Sequence, residues 1–256
     1  MFKNNIPYFK KGNILKKSML INLRDYPRSF VDIYFDDFSD GILAGCNIFI
    51  DDNYFCINKG IIKFKNIIYQ LDEVKRIKYF HTNTEIIVKI KVKDIRQEKD
   101  FICHESKIIL NDKLKMEENE FELGRFKLRE GARLRSEYND FADFATEFNT
   151  VNIINVSYSN VERSTLHPLI IKTFAKKFLQ FPIEDTFDLS FVMQCLNTRV
   201  IDRTLLERYL INKLTLEEKE YTNFEIYRYL KSIIKGLSGV GGNQKKSYIA
   251  PKIIVD

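Results

Sequence analysis

Three histidines, four cysteines and one arginine cluster are the residues of this chain whose types and spacing could do chemistry. Zinc or nucleophilic catalysis would draw on His81, His104, His167, Cys46, Cys56, Cys103 and Cys195, yet the sequence holds no CxxC pair and no HExxH. Cys103 and His104 are adjacent, and on a strand adjacent side chains point to opposite faces, so the pair is no nucleophile and base. Asp36, Asp40 and Gly41 have the outline of a calcium loop, but Phe38 occupies a ligand position and Asn47 stands where the bidentate glutamate belongs. The glycine-rich run near the end has Asn243 and Gln244 after Gly242 and follows a helix pattern, so it lacks the contiguous Gly-Lys-Ser/Thr and the preceding strand of a phosphate loop. The sequence therefore predicts no enzyme, no cofactor and no metal. The cysteines sit in apolar contexts and read as buried free thiols of a reducing compartment.

Arg125, Arg129, Arg133 and Arg135 remain, the one concentration of guanidinium groups, with Glu122, Glu130, Glu137, Asp140 and Asp143 close by in sequence. Arginine forks bind carboxylates or phosphates, so the cluster is either a local salt-bridge network or an anion site, and the second would make the chain a cytoplasmic nucleic-acid-binding or regulatory module. Composition favours the first. Among 256 residues, 41 basic and 35 acidic side chains give +6, the signs are interspersed, and most bases are scattered lysines of a solvated surface. Neither a signal-peptide pattern nor an eighteen-residue apolar window is present, so cytoplasmic synthesis without a membrane is expected.

The elements that would position these residues follow from periodicity. Residues 1–28 read as a basic arm with spaced aromatics, Tyr8 and Phe9 among them, able to order on a neighbour. Phe30–Phe35 reads as a short strand. Ala44–Ile50, Tyr54–Ile57, Gly60–Phe64 and Ile67–Leu71 read as a four-stranded meander with turns at Asp51-Asp52-Asn53 and Lys65-Asn66. In Glu85–Lys93 the alternation places Lys89, Lys91 and Lys93 on an outward face. Phe121–Leu128 is a strand or a hairpin bent at Gly124. From Ser164 the period becomes helical, giving four short helices, with Asp202 as one N-cap and Thr222–Glu225 as a capping box before a stop at Gly236. The predicted fold class is α+β: an N-terminal antiparallel β sheet, sandwich or barrel-like, then a small C-terminal helical bundle with extended termini. The predicted division is an arm (1–28), a β-rich domain (29–160), a bundle (161–236) and a flexible tail (237–256). The apolar tip of that tail, Ile253, Ile254 and Val255, would add a strand to a neighbour's sheet or pack back on its own domain.

DGILAGCNIFIDDNYFCINKGIIKFKNIIYQL, from Asp40 to Leu71, resembles the opening sheet of small tail-region proteins of phages, prophages and phage-tail-like bacteriocins of Gram-positive anaerobes. ELGRFKLREGARLR followed by DFADFATEFNTVNIINVSYSN, within 122–160, is similar to the second half of the same proteins. The resemblance covers about half of the chain and contains no catalytic signature. It implies a structural part of a contractile tail, in or attached to the baseplate where fibres are anchored. The expected partners are other tail or baseplate proteins in multiple symmetric copies, with no small-molecule substrate. Such a chain is made in the bacterial cytoplasm and leaves in a particle released on lysis. The expected contacts are Tyr8, Phe9, Arg125, Arg129, Arg133 and the Ile253–Val255 tip.

Overall fold

The computed structural model describes residues 1–80 and 82–240, with backbone alone at Thr82, Gly239 and Val240. The expected α+β order holds: antiparallel sheets come first and helices follow. Helix α1 (Lys17–Tyr34) precedes strands β1 (Gly41–Gly45), β2 (Ile48–Asp51), β3 (Tyr54–Ile57), β4 (Gly60–Phe64), β5 (Ile67–Leu71) and β6 (Lys75–Lys78). Then come β7 (Thr82–Val92), β8 (Arg96–Gln97), β9 (Ile102–Cys103), β10 (Ser106–Asn111) and β11 (Glu120–Leu128). A 3-10 turn at Phe141–Ala145 leads to α2 (Pro168–Phe178), α3 (Thr186–Asn197), α4 (Arg203–Leu214) and α5 (Asn223–Val240).

The strands form three open three-stranded sheets, β1-β4-β5, β2-β3-β6 and β10-β7-β11, with β8-β9 as a small ribbon; among the described residues no barrel closes. The expected meander is corrected. Its first strand, Ala44–Ile50, is broken at Gly45 and Cys46, both at positive φ (66° and 56°). A Cβ at Gly45 would stand 2.1 Å from the Lys59 carbonyl oxygen, so only glycine lets the two segments cross there. The break sends β1 to β4 and β2 to β3, which places the two hairpins in different sheets. The Lys65-Asn66 turn is as expected, with both residues at positive φ as a two-residue hairpin requires. β11 is one strand whose register slips between Glu122 and Gly124, and no hairpin forms.

The outward lysine face of β7 is also corrected, at Lys89. Its side chain is 1% exposed, and its Nζ donates to Glu120 Oε2 and to the Lys115 carbonyl, each at 2.9 Å. β10 and β11 cover β7 from both sides, with Ile90 between Ile108 and Phe121, and the segment before β11 folds over the lysine. Period two identified the strand and could not show that its second face is roofed.

Sheets and helices share one apolar core. Phe141 of the 3-10 turn packs its ring against Phe174 of α2 and Tyr227 of α5, with centroids 5.9 and 5.1 Å apart, and the Tyr227 hydroxyl donates to the Phe141 carbonyl at 2.8 Å. The helix starts are set locally. Asp202 Oδ1 accepts from the Leu205 N–H as expected, whereas the first helix begins at Pro168, capped by His167, four residues after the predicted Ser164. Thr222 and Glu225 form the reciprocal capping box, and α5 continues past the expected stop at Gly236 to Val240. Among the described residues no helix is long and apolar enough to cross a membrane.

Two outcomes follow from these polar contacts. Glu120→Gln strands the Lys89 ammonium in the core and should cost about 3 kcal/mol in urea unfolding, while Lys89→Met with Glu120→Leu should recover most of it. Hydrogen bonds from the Thr222 N–H and hydroxyl, and from Lys219, hold the Glu225 carboxyl down at about 2. A depressed carboxylate stabilises the fold above its unfolded-state value, so the advantage of wild type over Glu225→Gln should be full at pH 7. It should fade as pH falls from about 4.5 towards 2, read as thermal midpoints of the two proteins across that range.

Candidate partner-binding arm

The segment expected to be an arm followed by a strand is a helix. α1 has Met19, Leu23, Tyr26, Phe30 and Ile33 at alternating spacings of four and three, which lines them on one face, and Phe30–Tyr34 belongs to it, so the predicted strand there is overturned. Little in α1 favours a helix on its own. Lys16 gives no side-chain cap, no acidic residue lies in the first turn and no basic residue in the last, and Pro27 inside the helix removes one N–H from the ladder. None of its residues is buried. Leu23, Phe30 and Ile33 are 49%, 62% and 77% exposed. The contrast with α5 is direct: both helices run 18 residues, and α5 buries Ile226, Tyr227, Leu230, Ile233 and Ile234.

What fixes α1 is its root. Lys63 on β4 is 4% exposed, and its Nζ donates to the carbonyls of Phe35, Asp36 and Phe38 at 2.7, 2.8 and 2.7 Å. Those carbonyls lie just past the helix C-terminus, where backbone acceptors lack partners and a cation is favoured. In the same segment the rings of Tyr34 and Phe35, and of Phe35 and Phe38, meet edge to face at 4.9 and 5.1 Å. The chain is then stitched to the far side of the β region: Ser39 N–H donates to the Asn160 carbonyl at 2.9 Å and Glu162 N–H to the Asp37 carbonyl at 2.8 Å.

The predicted contact residues have these places. Tyr8 and Phe9 are exposed in the irregular segment before α1. Arg125 is clasped by Glu122 at 2.6 and 2.8 Å and reaches Glu85 at 3.3 Å. Arg129 lies over the Phe148 ring, 4.0 Å from its centroid, and Arg133 is exposed. Arg135 forks onto Asp143 at 2.5 and 2.6 Å and holds that carboxyl far below the usual carboxylate range. Two of the four guanidinium groups are thus neutralised by local carboxylates, which disperses the cluster as an anion site. Ile253, Ile254 and Val255 lie outside the described residues.

A polar cleft of about 530 Å³ opens between Ser39–Asp40 and the helices, lined by Arg163, Arg203, Glu220 and Tyr221 among others. Its charges are already matched: Arg203 binds Glu207, Asn223 and the Tyr221 carbonyl, and Arg163 forks onto Glu207 at 2.9 and 3.2 Å. Of the histidines, His167 caps α2, His104 has its Nδ1 buried without a hydrogen-bond partner, and His81 lies outside the described residues. The residues that sequence reasoning misses are Lys63 and the seam of α1. The alternating spacing from Met19 to Ile33 is the signal that could have found the seam, and Pro27 masks it.

No family model matches the chain. No curated protein matches it. Among solved structures, the crystal structure of TssK is similar over 93% of this chain and 72% of that chain, with TM-score 0.45 and 8% identity. The TssK-TssF-TssG baseplate subcomplex of the type VI secretion system, seen by cryo-electron microscopy, is similar over 92% of this chain and 100% of that chain, with TM-score 0.35 and 8% identity. Likenesses this distant carry no argument about activity or partners.

Replacing Lys63 by Met keeps the stem and removes all three hydrogen bonds, leaving the Phe35 carbonyl with the Phe38 N–H alone and the Asp36 and Phe38 carbonyls without the ammonium, so a loss of about 3 kcal/mol is expected in urea unfolding. Lys63→Arg should not rescue it, because a planar fork cannot aim at three converging acceptors. Faster amide exchange at Phe35 and Phe38 in both variants would locate the effect at the root of α1.

Proposed function

We propose that this chain is a structural subunit of a contractile phage tail or phage-tail-like particle, in or attached to the baseplate, and that it grips neighbouring components through its terminal segments. The observation that carries the reading is α1: a helix with its whole apolar face outside, rooted in the core through Lys63. An assembly subunit gains contact area from such an element at each symmetric copy. The resemblance of 40–71 and 122–160 to tail-region proteins of phages and phage-tail-like bacteriocins supports the same reading. On this proposal the Tyr8–Phe9 segment and the Ile253–Val255 tip extend the grip, fibres are among the components held, and the subunit is made in the bacterial cytoplasm and leaves with the particle. The paired state of Arg125 and Arg135 gives no support to the nucleic-acid alternative.

The test is to sediment the particles from producing cells and quantify this chain against sheath and tube subunits by mass spectrometry. A fixed integer ratio is expected, and deletion of residues 1–34 should leave a folded protein missing from the particles. Wild-type chain found only in the soluble fraction, or the deleted chain incorporated at the normal ratio, would overturn the proposal.

A further inference from the structure

Each end of α1 carries charge of the sign that opposes its own macrodipole. Lys16 and Lys17 stand at the N-terminus, where the helix is already positive, and Asp36 and Asp37 follow the C-terminus, where it is negative. Lys63 meets the carbonyls past the C-terminus, but with no side-chain cap, an internal proline and no buried face, the helix has nothing in its own chain to offset the cost at its N-terminus or to cover its seam. A second α1 laid antiparallel supplies what is missing, since it brings the acidic end of one copy beside the basic start of the other and covers both seams.

We propose that the partner of the α1 face is the α1 of a second copy of this chain, in an antiparallel pair about a two-fold axis at Tyr26. Three features on the helix favour this occupant. The seam from Met19 to Ile33 is centred on Tyr26, so an antiparallel copy sets Met19 level with Ile33 and Tyr26 with its own copy, and brings Leu23 within one residue, about 1.5 Å along the axis, of the level of Phe30. The residues flanking the seam, Leu20, Asn22, Pro27, Ser29 and Tyr34, are uncharged, so nothing there repels an identical helix. Only the ends carry a direction, and they favour the antiparallel one. Eighteen residues span about 27 Å. Two such helices bury on the order of 1,000 Å² in all, near the lower limit for a specific interface, so the pair forms in a concentration-dependent way. The inference uses the same arm as the proposed function but not the baseplate assignment, and it is tested on isolated protein, so its failure leaves that assignment standing.

Sedimentation velocity of the full chain from about 1 to about 200 µM should show a monomer–dimer equilibrium in that micromolar range. Phe30→Glu places a charge in the seam and should weaken the dimer at least roughly tenfold. Because Phe30 is exposed, the circular dichroism and melting of the body should be unchanged. The double variant Lys16→Glu/Lys17→Glu should weaken pairing, and adding Asp36→Lys/Asp37→Lys should restore it. Under mild oxidation, a Met19→Cys chain mixed with an Ile33→Cys chain should form the mixed disulfide, whereas Met19→Cys alone should not cross-link to itself. A monomer throughout the concentration range, a dimer insensitive to Phe30→Glu, or Met19→Cys self-cross-linking would each overturn the proposal.

Discussion

One buried ammonium decides how this molecule is arranged. Lys63 reaches from β4 to three carbonyls that follow α1, of which the Phe35 carbonyl also accepts from the Phe38 N–H at 3.1 Å. A buried lysine is costly unless its charge and all its protons are met, and here three protons meet three oxygens within 2.8 Å. The arrangement ties the helix exit to the sheet β1-β4-β5. It also places residues 36–40 against 159–162, the stretch that leads into the helices. An exposed helix, a sheet and the start of the helical region therefore meet at one side chain.

The energetic contrast between α1 and α5 gives that arrangement its meaning. Five buried apolar side chains on α5, at roughly 2 kcal/mol each, contribute on the order of 10 kcal/mol of burial that α1 leaves unrealised. A monomer selected for stability alone would have folded α1 back or replaced its seam with polar residues. The rest of the surface shows the opposite habit, with charges matched locally: Arg125 with Glu122, Arg135 with Asp143, Arg163 with Glu207. These ion pairs are closed within the body, whereas α1 leaves a whole row of apolar side chains at helical spacing without a buried member.

What was legible in the sequence was local. Asp202, the Thr222–Glu225 box and the Lys65-Asn66 turn each depend on residues within three or four positions, and each stands where expected. The α+β order was legible for the same reason, since period two gives way to helical spacing after Ser164. Two of the failures involve distant partners. Lys89 looked solvated because Glu120 lies 31 residues away, and Ala44–Ile50 looked like one strand because the sheets that divide it are set by β4 and β3. Helix α1 was lost for a different reason: it has no side-chain cap and buries no residue, and Pro27 argued against it. Of the candidate surface, Tyr8 and Phe9 are exposed, while Arg125 and Arg135 of the arginine cluster are engaged in ion pairs.

The Lys63 joint also has a mechanical character. Three hydrogen bonds that converge on one atom share its position, so a pull along α1 loads them together instead of one after another. A row of ladder bonds peels; a single tripod holds until its stem is drawn away and then releases all three. Such a joint is stiff under small loads and yields in one step.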